Sequence, residues 1–252
     1  MLAVAGPALV TDPLYAQATA GSSRLDVGSF TLFAGGGRSG REQFSLQSVE
    51  GAEGTVLELR AESSVGDRRG AVRLTTDSAG SPLAYAVEER SGAGVSLRLS
   101  GQRVRGRFAT LARSTQGEAA REYLLTPGVI VLEDHGVHQY ALLVRLHRPG
   151  VGDTLRIPTL TPIANRQGMI RLVLESVADT VTIAGTACDA WRWQAIPSTG
   201  DPRTVWSDPV GRVLRVRIPA QGFEAVRDDV PRQDATGRGN PPAGDTAKCW
   251  ND

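Results

Sequence analysis

The chain has 252 residues, 28 basic against 27 acidic side chains and a formal charge of +1. A balance this close excludes nucleic-acid binding through bulk positive charge, and 40% hydrophobic with 22% charged residues excludes a disordered chain or one that is membrane-spanning overall. All the basic residues except Lys248 are arginine, and 29 glycines and 14 prolines against few aromatics predict slender strands joined by many turns.

The first residues stand apart from the rest. Leu2 to Val10 is apolar except for Gly6 and Pro7, too short to span a bilayer, and Ala16-Gln17-Ala18 has the small-x-small form of a signal-peptidase site. Residues 1–22 therefore read as a signal-like segment or N-terminal arm, and the protein as exported, periplasmic or extracellular. From residue 23 the dominant period is two. Phe30-Thr31-Leu32-Phe33, the glycine-rich run Gly35 to Gly40 and Gln43-Phe44-Ser45-Leu46 make a hairpin signature. A phosphate-cradling loop would need a helix after the glycines, and a strand follows. Further strands are predicted at 55–61, 71–76, 83–89, 95–99 and 104–111, spaced as in an antiparallel meander rather than βαβ units.

The middle differs. Glu118 to Leu125 predicts a short helix ended by Pro127, and Val129 to Leu132 a buried strand. Asp134 could cap a helix over His135–His147, although a strand also fits there. Period two resumes at 154–160, 169–174, 180–184, 187–195, 204–206 and 213–218, for about twelve strands in all. The predicted fold is mainly β: a single large antiparallel meander sheet, curved or half-barrel, with one or two short helices near the middle. It occupies residues 23–229, and residues 230–252 read as a Gly/Pro-rich C-terminal tail.

No catalytic constellation emerges. His135 and His138 beside Glu133 and Asp134 could share a face only on a helix, and a capped helix start explains them without a metal. There is no Gly-x-Ser-x-Gly elbow, and the carboxylate pairs Glu88-Glu89 and Asp228-Asp229 look solvated. The expectation is a protein that is not an enzyme, with no cofactor, no metal site and no nucleic-acid partner. Trp191 and Trp193 are two apart, so on a strand both rings face one side, as core or as the wall of a ligand groove or partner site. Arg103, Arg105 and Arg107 would line one strand face, as would Arg215 and Arg217, with Leu214, Val216 and Ile218 opposite. Cys188 and Cys249 could form a disulfide closing a loop of about 60 residues, or remain two thiols.

Val205 to Pro219 contains Trp206-x-Asp208-x-x-Gly211-Arg212, a hairpin turn followed by an alternating strand. This stretch resembles the closing hairpin of uncharacterised bacterial exported β-sheet proteins, which in turn resemble periplasmic carriers of the lipoprotein-carrier type. The resemblance implies an incomplete barrel with an apolar concave face and no catalysis. Two functions follow as expectations. One is a structural or accessory subunit docked on the periplasmic face of a membrane protein assembly, respiratory or photosynthetic; its supports are two non-globular ends, the arginine faces and the lack of catalytic motifs. The other is a carrier or sensor of a lipophilic ligand in a sheet groove.

Overall fold

The described residues of the computed structural model are 21–51, 54–92, 94–134, 136–231 and 249, so residues 1–20 of the N-terminal arm, His135 and nearly all of the C-terminal tail lie outside them. Eight strands follow one another as hairpins: β1 (Ser22–Ala34), β2 (Gly37–Gly51), β3 (Gly54–Val65), β4 (Arg68–Asp77), β5 (Pro82–Ser91), β6 (Gly94–Val104), β7 (Arg107–Ser114) and β8 (Gly117–Leu124). A connecting stretch carries the two-residue β9 (Ile130–Val131) and helix α1 (Tyr140–Leu146). The chain then returns as β10 (Thr154–Thr161), β11 (Arg166–Ile183), β12 (Thr186–Pro197), β13 (Arg203–Ser207), β14 (Val213–Ile218), a 3-10 turn at Pro219–Gln221 and β15 (Phe223–Arg227).

All fifteen strands belong to one open, curved sheet in the order β8-β7-β6-β5-β4-β3-β2-β1-β15-β14-β13-β12-β11-β10-β9. Every neighbouring pair is antiparallel except β9 with β10. The mainly β fold expected from the period-two pattern, a single large curved sheet, is therefore the fold observed. The two runs of hairpins meet at the centre, where β1 pairs with both β2 and β15.

Residues in register share a face of the sheet, and two rows show which face is buried. Leu46, Leu59, Leu74 and Tyr85 are opposite one another across β2 to β5, and the row continues through Gly101 to Thr110 on β7. Gly101 is required in that row, because a Cβ there would meet the Phe108 ring at 2.5 Å. In the other half, Leu32, Ala225, Val216, Val205, Trp193 and Leu174 form a row across β1 and β15 to β11. Both rows belong to one core cluster with Ile130, Leu142, Leu143 and Val144 of the connecting stretch. The sheet therefore curls its apolar face around its own mid-chain segment. That segment reaches both halves: Leu146 Cδ1 lies 2.6 Å from where a Cβ on Gly80 would stand, and the Arg145 Cα lies 2.8 Å from one on Gly211.

Three sequence expectations need correction. Glu118 to Leu124 is a strand and not a helix, because Ala120 and Tyr123 pair with Leu111 and Phe108 and tertiary pairing overrides a helix-favouring composition. The second helix begins at Tyr140, not at His135, and Asp134 does not cap it. Asp134 instead bonds Arg166 at 2.8 Å, and the backbone N–H groups of Val137 and His138 donate to the Glu42 carboxylate, which thus takes the place of a local cap. Residues 169–174 and 180–183 are parts of one long strand, β11, whose register with β12 shifts around Ser176, and Ala184 belongs to the turn that follows.

These shifts have a structural result. Beyond them the distal half of the β11–β12 hairpin folds onto the opposite face of β13 to β15, where Val181, Ile183, Cys188, Ala190 and Leu214 form a second, smaller cluster. Leu214 belongs there and not beside Val216, because the register irregularity between β13 and β14 turns it to that side. Cys188 and Cys249 are bonded to each other, with Cα atoms 5.0 Å apart.

Candidate functional site

Trp191 and Trp193 share a face of β12 as the alternation requires, their ring centroids 6.0 Å apart. Trp193 is fully buried and its indole N–H donates to Ser207 Oγ at 2.9 Å. Trp191 packs at the margin of the core beneath the Arg148 guanidinium, 5.7 Å from its ring. The pair is thus core at one end and rim at the other. Trp193→Phe keeps most of the volume but removes the only N–H on this ring. We expect a loss of about 1–2 kcal/mol in a urea unfolding titration.

The first arginine stripe does not exist as such. β6 ends at Val104, Arg105 (φ 48°) and Gly106 (φ 78°) make the turn, and Val104 pairs with Arg107. Arg103 and Arg107 therefore lie on different strands, Arg103 against Asp77 and Arg107 against Glu122. On β14, Arg217 is exposed, whereas Arg215 pairs with Glu224 and stacks over the Trp206 ring at 5.1 Å.

Asp208 and Gly211 do make the Trp206–Arg212 turn: Asp208 is fully buried, its Oδ1 accepts the N–H groups of Val210 and Arg212, and the Gly211 N–H donates to the Asp208 carbonyl. Burial pushes the Asp208 carboxyl up, against the pull of the Arg212 guanidinium.

The folded-over hairpin leaves a cleft of about 490 Å³ beside the second cluster. Phe33, Val181 and Val226 supply apolar walls, Thr180 and Thr182 hydroxyls, and the Arg215–Glu224 pair the charged part of the lining. Asp179 pins the hairpin in place, accepting from the Trp206 indole N–H at 3.0 Å and from Arg192 at 3.1 Å. Burial of Asp179 works against ionisation, but the N–H of Thr180, the indole and Arg192 outweigh it and hold the carboxyl below its usual range.

A second polar region lies within the curl. Glu133 is 5% exposed, and its Oε1 accepts the Ile163 N–H at 3.0 Å and the Tyr85 hydroxyl at 3.3 Å. Burial raises its pKa to about 7, with Asp134 and Glu89 adding repulsion. Tyr140 is raised by burial to about 12. His138 Nδ1 lies 3.1 Å from Glu42 Oε1. No group of three or more metal-ligating side chains is present among the described residues, and His135 lies outside them. Sequence reasoning named Glu133 only beside the histidines, and it missed the burial of Glu42, Glu133 and Arg203 and the cleft, since each depends on partners distant along the chain.

No protein family matches the chain, and no curated protein matches it. Among solved structures it is similar to the crystal structure of a DUF1089 family protein from Pseudomonas aeruginosa, at 13% identity, covering 83% of this chain and 98% of that one, with a TM-score of 0.42.

Proposed function

We propose that this protein is a non-enzymatic, exported carrier or sensor that holds a small lipophilic ligand in the cleft between the folded-over β11–β12 hairpin and the outer face of β14, β15 and β1. The observation that carries this reading is the cleft itself: its volume of about 490 Å³ lies in the range of small-molecule sites. Its lining places apolar walls next to a few polar groups, which suits an amphiphile with an apolar body and a polar head. The concave face, which the resemblance to lipoprotein carriers would offer as a groove, is filled by the chain's own residues 129–132 and 137–146. The ligand site is accordingly assigned to the outer side of the sheet.

The accessory-subunit reading keeps less support. Both non-globular ends lie almost wholly outside the described residues, and a hairpin divides the 103–107 stripe. What favours a docking partner is the exposure of Leu124, Ile163 and Met169 around the seam where Gln167 bonds the Leu124 carbonyl.

Titration of the full chain with 1-anilinonaphthalene-8-sulfonate, alongside native mass spectrometry of protein purified from the producing cell, tests the carrier. Val226→Trp should fill the cleft and raise the dye Kd about tenfold, a change of about 1.4 kcal/mol. The wild type should retain an adduct that the variant lacks. Unchanged dye binding by a folded Val226→Trp protein would assign the function elsewhere.

A further inference from the structure

Arg203 opens β13 on the core face, opposite Ala195, and is only 3% exposed. Its guanidinium is poorly matched. The nearest carboxylate, Asp134, lies 3.6 Å from Nη2, beyond hydrogen-bond distance. That carboxylate already accepts from Arg166 Nη2 at 2.8 Å. Arg203 Nε has no hydrogen-bond partner among the described residues. A buried donor without a partner is costly, and a buried cation more so.

Next to these groups lies a small niche of about 10 Å³, bounded by Asp134, Arg166 and Arg203 together with Thr159, Thr161 and Ser198. It shares no residue with the outer cleft. Its volume admits one water-sized group, too little to enclose a whole sulfate or phosphate. Asp134 and Arg166 are both about a third exposed, so the niche has a solvent-facing mouth and a buried arginine at its base. Two guanidiniums line the niche against a single carboxylate, Asp134, and the neighbouring Glu133, which burial holds partly protonated at neutral pH, offsets the remaining charge only in part.

We propose that this niche binds a small monovalent anion, a halide or one oxygen of a carboxylate group, with Arg203 as the principal partner and Arg166 at the mouth. A water molecule could fill the same space, but it would leave the excess positive charge in place. An anion offsets it and faces the Arg203 guanidinium that lines the niche.

Thermal unfolding of the full chain at pH 7 and constant ionic strength tests the assignment. Sodium methanesulfonate, whose anion is too bulky for the niche, is replaced stepwise by sodium chloride in one series and sodium formate in another. Wild-type protein should show a saturable rise in Tm with at least one of them. Saturation with chloride assigns a free halide; saturation with formate alone assigns the carboxylate of a larger molecule. Arg203→Gln should abolish the rise. Because that buried variant could fail to fold, Arg166→Gln at the half-exposed mouth provides a second measurement, with a half-saturation concentration raised about tenfold. Coincident curves in all three salts for the wild type would overturn the proposal and leave water as the occupant. An undiminished response in both variants would overturn it as well.

Discussion

Replacing Arg227 by methionine is expected to lower the unfolding free energy by about 3–5 kcal/mol, because it strands a buried carboxylate. Arg227 and Asp26 are 1% and 3% exposed and meet in a bidentate pair at 2.8 and 3.1 Å. The same guanidinium donates to the carbonyls of Val27 and Val213 and stacks over the Phe44 ring. Burial alone would depress the Arg227 pKa, but Asp26 and Asp229 more than reverse it. Gly28 makes the room: a Cβ there would lie 2.6 Å from Arg227 Nη2. Asp26 on β1 and Arg227 on β15 join the two runs of hairpins, so the loss should appear in the cooperative transition of the whole domain. Urea denaturation measures it, and the double variant Asp26→Asn/Arg227→Met should regain a large part of the loss. A single-variant cost below about 1 kcal/mol would show that the pair is not an enclosed one.

The second large effect is a dependence on pH. Glu133 titrates near pH 7 in the folded protein against 4.5 for an ordinary glutamic acid, chiefly because burial disfavours its charge. The folded state thus holds a proton that the unfolded chain releases between these values. Its contribution is fully present below about pH 4.5 and is lost as pH rises through 7. Across that window the wild type should lose about 3 kcal/mol of stability from this group. The groups around Glu133 are Tyr85, which is itself pushed well above 10 by burial, Asp134 and Glu89. Tyr85 therefore stays neutral throughout. Glu133→Gln keeps an oxygen to accept from Ile163 and Tyr85 and cannot ionise. Its stability should be nearly flat from pH 5 to 8 and exceed that of the wild type at the upper end. Parallel profiles for the two proteins would assign the slope to another group.

Much of the fold was legible because antiparallel hairpins are punctuated locally. Gly35-Gly36, Gly66 and Ala184-Gly185 adopt positive φ in turns between alternating segments, and the alternation of Phe30 and Leu32 or Phe44 and Leu46 marks the buried face. Arg105-Gly106 is the same two-residue signal, but its arginine was read as part of a charged stripe, and the turn was missed. Glu118 to Leu124 misled for a different reason: the segment is almost wholly exposed, so packing left no alternating pattern in it and composition pointed to a helix. The charged interior was illegible in principle. Asp26 finds its partner 201 positions away, and Glu42 serves the backbone of His138 from 96 positions away. The cleft arises from register shifts at Ser176, for which no residue type in β11 gives a sign.

The placement of β1 has a consequence for synthesis. Of the sheet's fifteen strands, β1 is synthesised before the others and lies at the centre of the finished sheet, and one of its two neighbours, β15, is synthesised after the others. The hairpins from β1 to β8 can close on local contacts as they emerge, since each strand pairs with the one before it. Throughout that time the other edge of β1, with Phe30 and Leu32 beside it, has no strand to bond. An unpaired edge next to apolar side chains is a template for pairing between chains. During translation the vulnerable edge is thus the innermost strand of the native sheet, and it is protected only when Phe223–Arg227 arrives.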